Sequence, residues 1–178
     1  MGPSNGASAD RLGTAVAISG DMAFMGAPGR VIPGTFMHVG AIYVAKRSGS
    51  NWTIVQQLMP SDGSDGDAFG SAVALDGIWA VVGAPGTNNA GDGSAYIYRF
   101  DGTTWVFYQK LVLADHAPGD FFGVSVAITG QTIVVGAYGR QTYTGAAYVY
   151  RFNGSTWTLT QTLMASDAAT GQSFGSAV

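Results

Sequence analysis

Cysteine is absent from the chain, which excludes disulfide bonds, thiolate metal sites and catalysis by a thiol. Charged residues make up only 11% of the sequence, against roughly 25% in a typical soluble domain. With 8 lysines and arginines and a formal net charge of −3, the chain lacks a basic footprint, and we expect no nucleic-acid partner. Because no run of about 18 apolar residues is present, the sequence also predicts no insertion into a membrane.

Apolar and small residues are abundant instead. Hydrophobic residues account for 47% and aromatic residues for 12% of the sequence, which is too apolar for a disordered chain. The 27 glycines are about twice the usual share. A length of 178 residues suits one domain with a sizeable core. The first residues lack the basic and apolar regions of a signal peptide. We expect a chain trimmed from a longer one, rather than a protein that is not exported by the signal-peptide route.

An internal repeat organises the sequence. Four copies of a motif in which Leu or Phe precedes glycine begin at Leu12, Phe69, Phe122 and Phe174. Between them recur a tyrosine, a tryptophan nine residues later and a leucine six residues after that: Tyr43, Trp52, Leu58; Tyr96, Trp105, Leu111; Tyr148, Trp157, Leu163. The last two phenylalanine spacings are 53 and 52 residues. The repeat units are therefore approximately 12–68, 69–121 and 122–173, with 174–178 starting a fourth.

Each unit is predicted to form four short strands, because segments rich in Val, Ile, Tyr, Trp and Thr alternate with turn residues. In the middle unit, the predicted strands are 72–75, 78–82, 95–100 and 104–113. The pairs Asp76-Gly77 and Asp101-Gly102 between them are typical of tight antiparallel hairpins. No amphipathic helical stretch of useful length is visible, so the predicted class is all-β, built from four-stranded antiparallel meanders.

Four-stranded units that repeat about every 50 residues indicate a β-propeller, with about three blades in this chain. Both faces of a propeller blade are buried, so its strands lose the alternation of a half-exposed sheet. Residues 78–82 and 132–135 have this continuous apolar character. Glycine and alanine suit the crowded region near the axis. A β-solenoid is the alternative, but its repeats are usually about half this length or less.

The residues Phe69-Gly70, followed by Gly83-Ala84-Pro85, resemble the FG-GAP repeat, the blade motif of integrin α-subunit propellers and of many bacterial cell-surface and secreted proteins. The resemblance extends from Leu12 to Val178, although Leu12 replaces Phe in the first unit and Tyr138 replaces Pro in the third. It implies an extracellular or cell-surface protein that serves in adhesion, protein recognition or carbohydrate binding, with no common enzymatic activity. No cofactor is expected.

Integrin members of this family carry an Asp-x-Asp-x-Asp-Gly calcium loop between the first two strands of a blade. That place here holds only Ser19-Gly20-Asp21, Asp76-Gly77 and Thr129-Gly130-Gln131. Calcium prefers six to eight oxygen ligands, which a two-residue turn cannot supply. The chain therefore resembles the calcium-free bacterial variant of the repeat, and we predict no metal site.

Asp62, Asp65 and Asp67 form an acidic cluster whose spacing differs from that of a calcium loop. Because related residues recur in the other units, we expect Asx-turn hydrogen bonds in the inter-blade loops rather than metal binding. The recurring residues are Asn5, Asp115 and Asp167 for Asp62, and Asp10, Asp120 and Gln172 for Asp67. Residues 88–93 imitate part of a calcium loop, but Ala90 interrupts the pattern.

Trp52, Trp105 and Trp157 are candidates for sugar-stacking platforms on the rim. Their recurrence in phase with the leucines favours another role, the packing of each outer strand on the next blade.

The irregular loop 30–39, with Phe36, Met37 and His38, is the place where one unit departs from the pattern. Variable loops carry function more often than the scaffold does, so we predict a contact surface there. His38 and His116 occupy non-equivalent positions in loops. We therefore expect neither a transition-metal site nor a catalytic triad from them.

Three blades do not close a propeller, which typically has four to eight. An open arc leaves an apolar face at each end, and exposing several hundred Å² at each would cost on the order of 10 kcal/mol. We therefore predict a homodimer that closes a ring of about six blades. A fragment excised from a larger propeller is the alternative. Residues 2–16 align without a gap to 164–178, so two copies of one segment compete at each junction.

The predicted function is a non-catalytic scaffold for protein interaction or cell-surface adhesion, completed by self-association. The alternative is a lectin-like propeller that binds small sugars in pockets between blades. An enzyme ranks third, because no acid–base pair or nucleophile constellation stands out in the sequence.

Overall fold

The structure, a computed structural model, describes residues 7–86, 91–167 and 169–178. Its strands form three separate four-stranded antiparallel sheets, which confirms the predicted all-β class and the three propeller blades. In the described ranges, helical structure is limited to a 3-10 turn at Ser8–Asp10 and a four-residue segment at Arg140–Tyr143. None of the helical segments described is long and apolar enough to cross a membrane.

Each sheet is a meander of four consecutive strands. The first contains β1 (Val16–Ser19), β2 (Met22–Ala27), β3 (Ala41–Ser48) and β4 (Asn51–Leu58). The second contains β5 (Ala72–Asp76), β6 (Trp79–Ala84), β7 (Ser94–Phe100) and β8 (Trp105–Leu111). The third contains β9 (Ser125–Thr129), β10 (Thr132–Ala137), β11 (Ala146–Phe152) and β12 (Trp157–Leu163).

The ends of all four strands predicted in the middle unit need correction: β5 extends to Asp76, β7 starts at Ser94 and β8 starts at Trp105. Two strands differ by more than one residue at an end. The strand predicted at 78–82 starts at Trp79 and continues to Ala84, because Ile78 belongs to the turn in which Gly77 has a φ of +56°. The strand predicted at 104–113 ends at Leu111, where the chain leaves the sheet for the next one. Both corrections lie at the ends of strands. Residues of high β propensity there belong to the connections and not to the strands.

The sheets converge at their first strands, since β1 contacts β5 and β5 contacts β9. Glycine permits this close approach. A Cβ added to Gly83 of β6 would overlap the carbonyl oxygen of Gly123 in the following sheet. Gly26 lies against Gly70 in the same way. The glycine of Gly-Ala-Pro in one sheet therefore packs on the glycine of Phe-Gly in the next, which explains why both halves of the repeated motif contain this residue.

The two larger core clusters lie between neighbouring sheets, and a smaller third one surrounds Tyr43 in the first sheet. The first cluster contains Phe24, Ile42 and Val44 from the first sheet, with Phe69 and Tyr96 from the second. The second cluster repeats this arrangement between the second and third sheets, with Val81, Ile97, Phe122, Tyr148 and Trp157 among its members. Phe69 and Phe122 are completely buried, so each anchors its sheet to the preceding one, whereas Phe174 is exposed.

Candidate functional site

The contacts between neighbouring sheets, which we call joints, combine buried apolar clusters with hydrogen bonds between outer strands. We call the side of a sheet that faces the following sheet its trailing face, and the side that faces the preceding sheet its leading face. Each joint consists of one trailing face and one leading face. Among the described residues there are two complete joints, and one face at each end of the row of three sheets has no matching sheet.

A glutamine ties the outer strands together at both joints. The Gln56 side-chain nitrogen donates to the Trp105 carbonyl oxygen at 2.8 Å, and the Gln56 amide oxygen accepts from the Trp105 N–H at 2.9 Å. Gln109 makes the same two bonds to Trp157, both at 2.8 Å. The amide of glutamine has a donor and an acceptor side by side, so it pairs with a peptide edge as a strand would. We call this pair of bonds the glutamine clamp.

A β-bulge directs each clamp. The outer strand of every sheet contains one extra residue without a partner in the third strand: Val55, Tyr108 and Thr160. Bulges re-aim the side chains beside them. Gln56 and Gln109 directly follow the bulged residues of their strands, and so does Gln161 in β12. The sequence predictions missed these glutamines, although their spacings of 53 and 52 residues match the repeat.

The tryptophans pack in the direction opposite to the one expected. Trp105 lies edge to face on Phe24 of the preceding sheet, with 4.9 Å between ring centroids, and Trp157 lies 5.5 Å from Trp79 of the sheet before it. The expected contact with the next blade is therefore corrected to a contact with the preceding blade. Trp52 has no preceding sheet and is only half-buried, with the Arg47 guanidinium 5.8 Å from its ring centroid.

No described strand covers the leading face of the first sheet, which includes Val16, Ile18, Met25 and Trp52. Val16 is 68% exposed and Ile18 is 64% exposed, whereas Val126, the counterpart of Val16 in the third sheet, is 8% exposed. Val16 and Val126 occupy equivalent positions in the repeat. The difference in their exposure therefore comes from the preceding sheet, which covers Val126 and not Val16.

The trailing face of the third sheet, which includes Val134, Val149, Gln161 and Leu163, is also uncovered. Its three apolar members are half-buried, whereas their counterparts in the first sheet, Phe24, Val44 and Leu58, are buried. Gln161 is exposed, in contrast to the half-buried Gln56 and Gln109.

The predicted contact loop forms a small hairpin. Val31 and His38 form an antiparallel bridge, and Phe36 at the tip is 94% exposed. Met37 lies beside it and is also exposed. The His38 N–H donates to Asp65 Oδ1 at 2.7 Å, which fixes the base of the loop to the following connection. The structure thus places the three predicted residues side by side at one surface.

The acidic residues of the connections divide into two groups. Asp67 accepts a hydrogen bond from the Ser64 N–H at 2.7 Å, three residues earlier. The same local bond recurs at Asp10, Asp120 and Gln172. Asp62 differs from the expectation, since it accepts from Lys110 Nζ at 2.7 Å and from the Tyr96 hydroxyl at 3.1 Å. Asp115 also departs from it by pairing with Arg140.

The remaining predicted polar sites form ion pairs or lie elsewhere. The Asp10–Arg30 pair, at 2.9 Å, is buried, and Asp120 pairs with Arg140 at 2.8 Å. His116 Nδ1 lies 3.0 Å from Asp92 Oδ2. Asp167 is exposed, whereas Asn5 and residues 88–90 lie outside the described residues. Across residues 7–86, 91–167 and 169–178, no three His, Asp or Glu residues come together to hold a metal ion.

A cleft opens at the rim of each joint. The cleft of the second joint has a volume of about 500 Å³ and is lined by Tyr148, Tyr150 and Leu159, among others. The equivalent cleft of the first joint has a volume of about 230 Å³. In this smaller cleft, Phe107 takes the position of Leu159 and contacts Tyr96 and Tyr98. Since Trp105 and Trp157 are buried, the carbohydrate alternative rests on these clefts and stays a prediction.

Burial dominates the electrostatics of the joint tyrosines. It raises the pKa of Tyr96 to about 12 and that of Tyr150 to about 12, and it also raises the pKa of Tyr98. Partial burial is the largest single influence on Asp62 and opposes its ionisation. The hydrogen bonds from Lys110, Tyr96 and the backbone, together with the positive charge of Lys110, outweigh it and lower the pKa of the carboxyl group.

An alkaline titration should reveal the buried tyrosines. We expect Tyr96, Tyr98 and Tyr150 to ionise well above pH 10, which is the ordinary pKa of a tyrosine side chain. Phenolate absorbance measures this, with the unfolded protein in guanidinium chloride as the control. Because the unfolded state loses these protons first, the free energy of unfolding should fall as the pH rises from about 10 to about 12, and these groups should not change it below about 10. Ionisation of all 8 tyrosines near pH 10 in the folded protein would contradict the burial.

Comparison with known proteins agrees with this geometry. A family model described as FG-GAP repeat matches residues 1–45, 52–98 and 105–150. The chain belongs to the FG-GAP repeat family. The second and third matched segments start at the tryptophan of an outer strand and end in the third strand of the following sheet. Each of these FG-GAP matches therefore spans a joint rather than a single sheet.

A solved structure gives a further comparison. A europium-containing methanol dehydrogenase is similar to this FG-GAP chain with a TM-score of 0.56 and 13% sequence identity, covering 88% of this chain and 26% of that one. At that identity the likeness concerns the fold alone. The chain spans about a quarter of the length of that enzyme. No curated protein gives a significant match to the sequence.

Proposed function

We propose that the chain is a non-catalytic FG-GAP propeller scaffold for protein interaction or cell-surface adhesion, completed by association with a second copy. The observation that carries the proposal is the pair of unmatched faces. Val16 and Ile18 are 68% and 64% exposed at one end, while positions equivalent to buried core residues are half-buried at the other. Apolar faces of this kind are typical of association surfaces.

The non-catalytic part of the proposal is supported by the state of the acidic side chains. Asp10, Asp120 and Asp62 are engaged by Arg30, Arg140 and Lys110. A general acid or base needs a carboxyl group poised near the working pH, whereas the pKa of Asp62 is lowered. These carboxylates hold connections in place.

The interaction part of the proposal is supported by the loop that carries Phe36 and Met37. An exposed aromatic ring at the tip of a hydrogen-bonded hairpin presents an apolar contact on an ordered support. The proposal includes an extracellular or cell-surface location for this loop, which is what the resemblance to other FG-GAP proteins implies.

The mass in solution tests self-association. We expect light scattering to give twice the chain mass of 18.3 kDa at high concentration. Replacing Val16 and Ile18 together by lysine should return the mass to that of one chain, because two charges then lie in the association surface. Val106→Lys, on the outer strand of the middle sheet, is the matched control and should leave the dimer intact. A folded chain with the mass of one copy at every concentration would refute the proposal.

A further inference from the structure

The glutamine clamp occurs twice within the chain, and its two halves occur once more, separately, at opposite ends. Gln161 follows the bulged Thr160 in β12 in the way that Gln56 and Gln109 follow theirs. The described strands provide no fourth outer strand for it to reach. The amide donor and acceptor of Gln161 therefore lie on the uncovered trailing face of the third sheet.

The matching main-chain edge lies at the first sheet. Trp52 pairs with Arg47 in β3 in the register in which Trp105 pairs with Phe100 and Trp157 with Phe152. In the second and third sheets, the N–H and C=O of this tryptophan point away from the third strand. Both groups form hydrogen bonds with a glutamine of the preceding sheet. By the same register, the Trp52 peptide edge points outward at the start of β4.

We propose that Gln161 of one copy clamps the main chain of Trp52 in a second copy, so that two chains join head to tail through two identical joints. This inference rests on the self-association proposed above and names its contact. Two such joints close the assembly with six sheets, because each copy contributes one trailing and one leading face. In the assembly Trp52 packs on Val134 as Trp105 packs on Phe24.

A second copy fits this surface because the two unmatched faces repeat the two faces already joined inside the chain. The trailing face of the third sheet presents Val149 and Leu163 where the first sheet presents Val44 and Leu58. The joint between copies therefore continues an interface that the chain already builds twice.

The duplicated termini determine how the joint closes. Phe174 pairs with Gly145 as Phe69 pairs with Gly40, so residues 174–178 already occupy the place that residues 12–16 of a partner need. Residues 12–16 are the N-terminal copy of the segment that recurs as 174–178. The N-terminal copy continues directly into β1. In the joined state, the partner's N-terminal segment takes this place and residues 174–178 leave it.

Substitution of Gln161 tests the clamp in the full chain. Gln161→Glu replaces the amide donor by a carboxylate that faces a carbonyl oxygen, and Gln161→Ala removes both bonds. Sedimentation equilibrium should show that either change raises the dimer dissociation constant by about a hundredfold, since two joints lose two hydrogen bonds each. Because Gln161 is exposed, the melting temperature of the dilute single chain should not change. Gln131→Glu, a change of equal charge at an exposed residue in the turn between β9 and β10, should leave the dissociation constant as it is.

The outcomes separate this inference from the one it rests on. A wild-type dimer whose dissociation constant is the same in both Gln161 variants overturns the clamp and leaves self-association standing. A wild-type chain that stays single at all concentrations overturns both. A Gln131→Glu variant that weakens the dimer as much as Gln161→Glu also overturns the clamp, because charge alone would then explain the loss.

Discussion

Replacing Gly83 by alanine is expected to lower the free energy of unfolding by about 4 kcal/mol, a large share of the stability of an ordinary domain. The added Cβ would overlap the carbonyl oxygen of Gly123, which belongs to the backbone of the next sheet and cannot rotate away. The second and third sheets would have to separate at the point where they are closest, and the buried cluster between them would lose contacts. Urea denaturation followed by circular dichroism measures the change.

Two other glycines provide graded controls for this substitution. Gly136→Ala creates the same overlap, but with Gly175 in the C-terminal segment, which is displaced at lower cost than a whole sheet. Gly77→Ala meets no atom within 4 Å and costs about 1 kcal/mol for its φ of +56°. We expect losses in the order Gly83, Gly136, Gly77. Equal losses at Gly83 and Gly77 would show that backbone conformation, and not the approach of the sheets, determines the effect.

Trp157→Ala is expected to cost about 3–5 kcal/mol. The side chain is 2% exposed and lies between Trp79 of the preceding sheet and Phe152 of its own, with centroid distances of 5.5 and 5.3 Å. Its removal leaves a cavity inside a joint that cannot collapse, because the backbones on both sides are fixed by their ladders. The loss should appear in urea denaturation as a lower midpoint.

The repeat itself offers the matched control for this cavity. Trp52→Ala changes the same residue at the same place in the first sheet, where no preceding sheet covers it. Measured at concentrations where the chain is single, this variant should lose no more than about 1 kcal/mol. A loss as large as that at Trp157 would show that the ring is stabilised within its own sheet and would contradict the packing across the joint.

Much of the fold followed from periodicity. The hairpin glycines Gly20, Gly77 and Gly130 adopt the positive φ values that turn chemistry predicts, at +58°, +56° and +53°. The apolar strand around Val81 is buried on both sides, as a blade between two neighbours requires. Turn preference and β propensity depend on neighbouring residues in the sequence, so they can be predicted without knowledge of long-range contacts.

The candidate site was only partly predictable for a physical reason. The sequence predicted that Trp105 packs on the next blade, and this direction was wrong, because a repeat has the same spacing in both directions and does not distinguish the next blade from the preceding one. The glutamine clamp depends on a bulge, which is visible only in the strand register. Asp62 was expected to bond within its loop, and its partners Lys110 and Tyr96 come from distant strands.

The sequence alone determined the repeat, the strand-and-turn pattern and the all-β class, since each of these depends on residue type and spacing along the chain. Tertiary structure decided which faces meet, where Gly83 touches the next backbone, and which glutamine holds which tryptophan. The reason is that contacts between sheets are set by the relative placement of backbones about 50 residues apart, and spacing along the chain does not specify that placement.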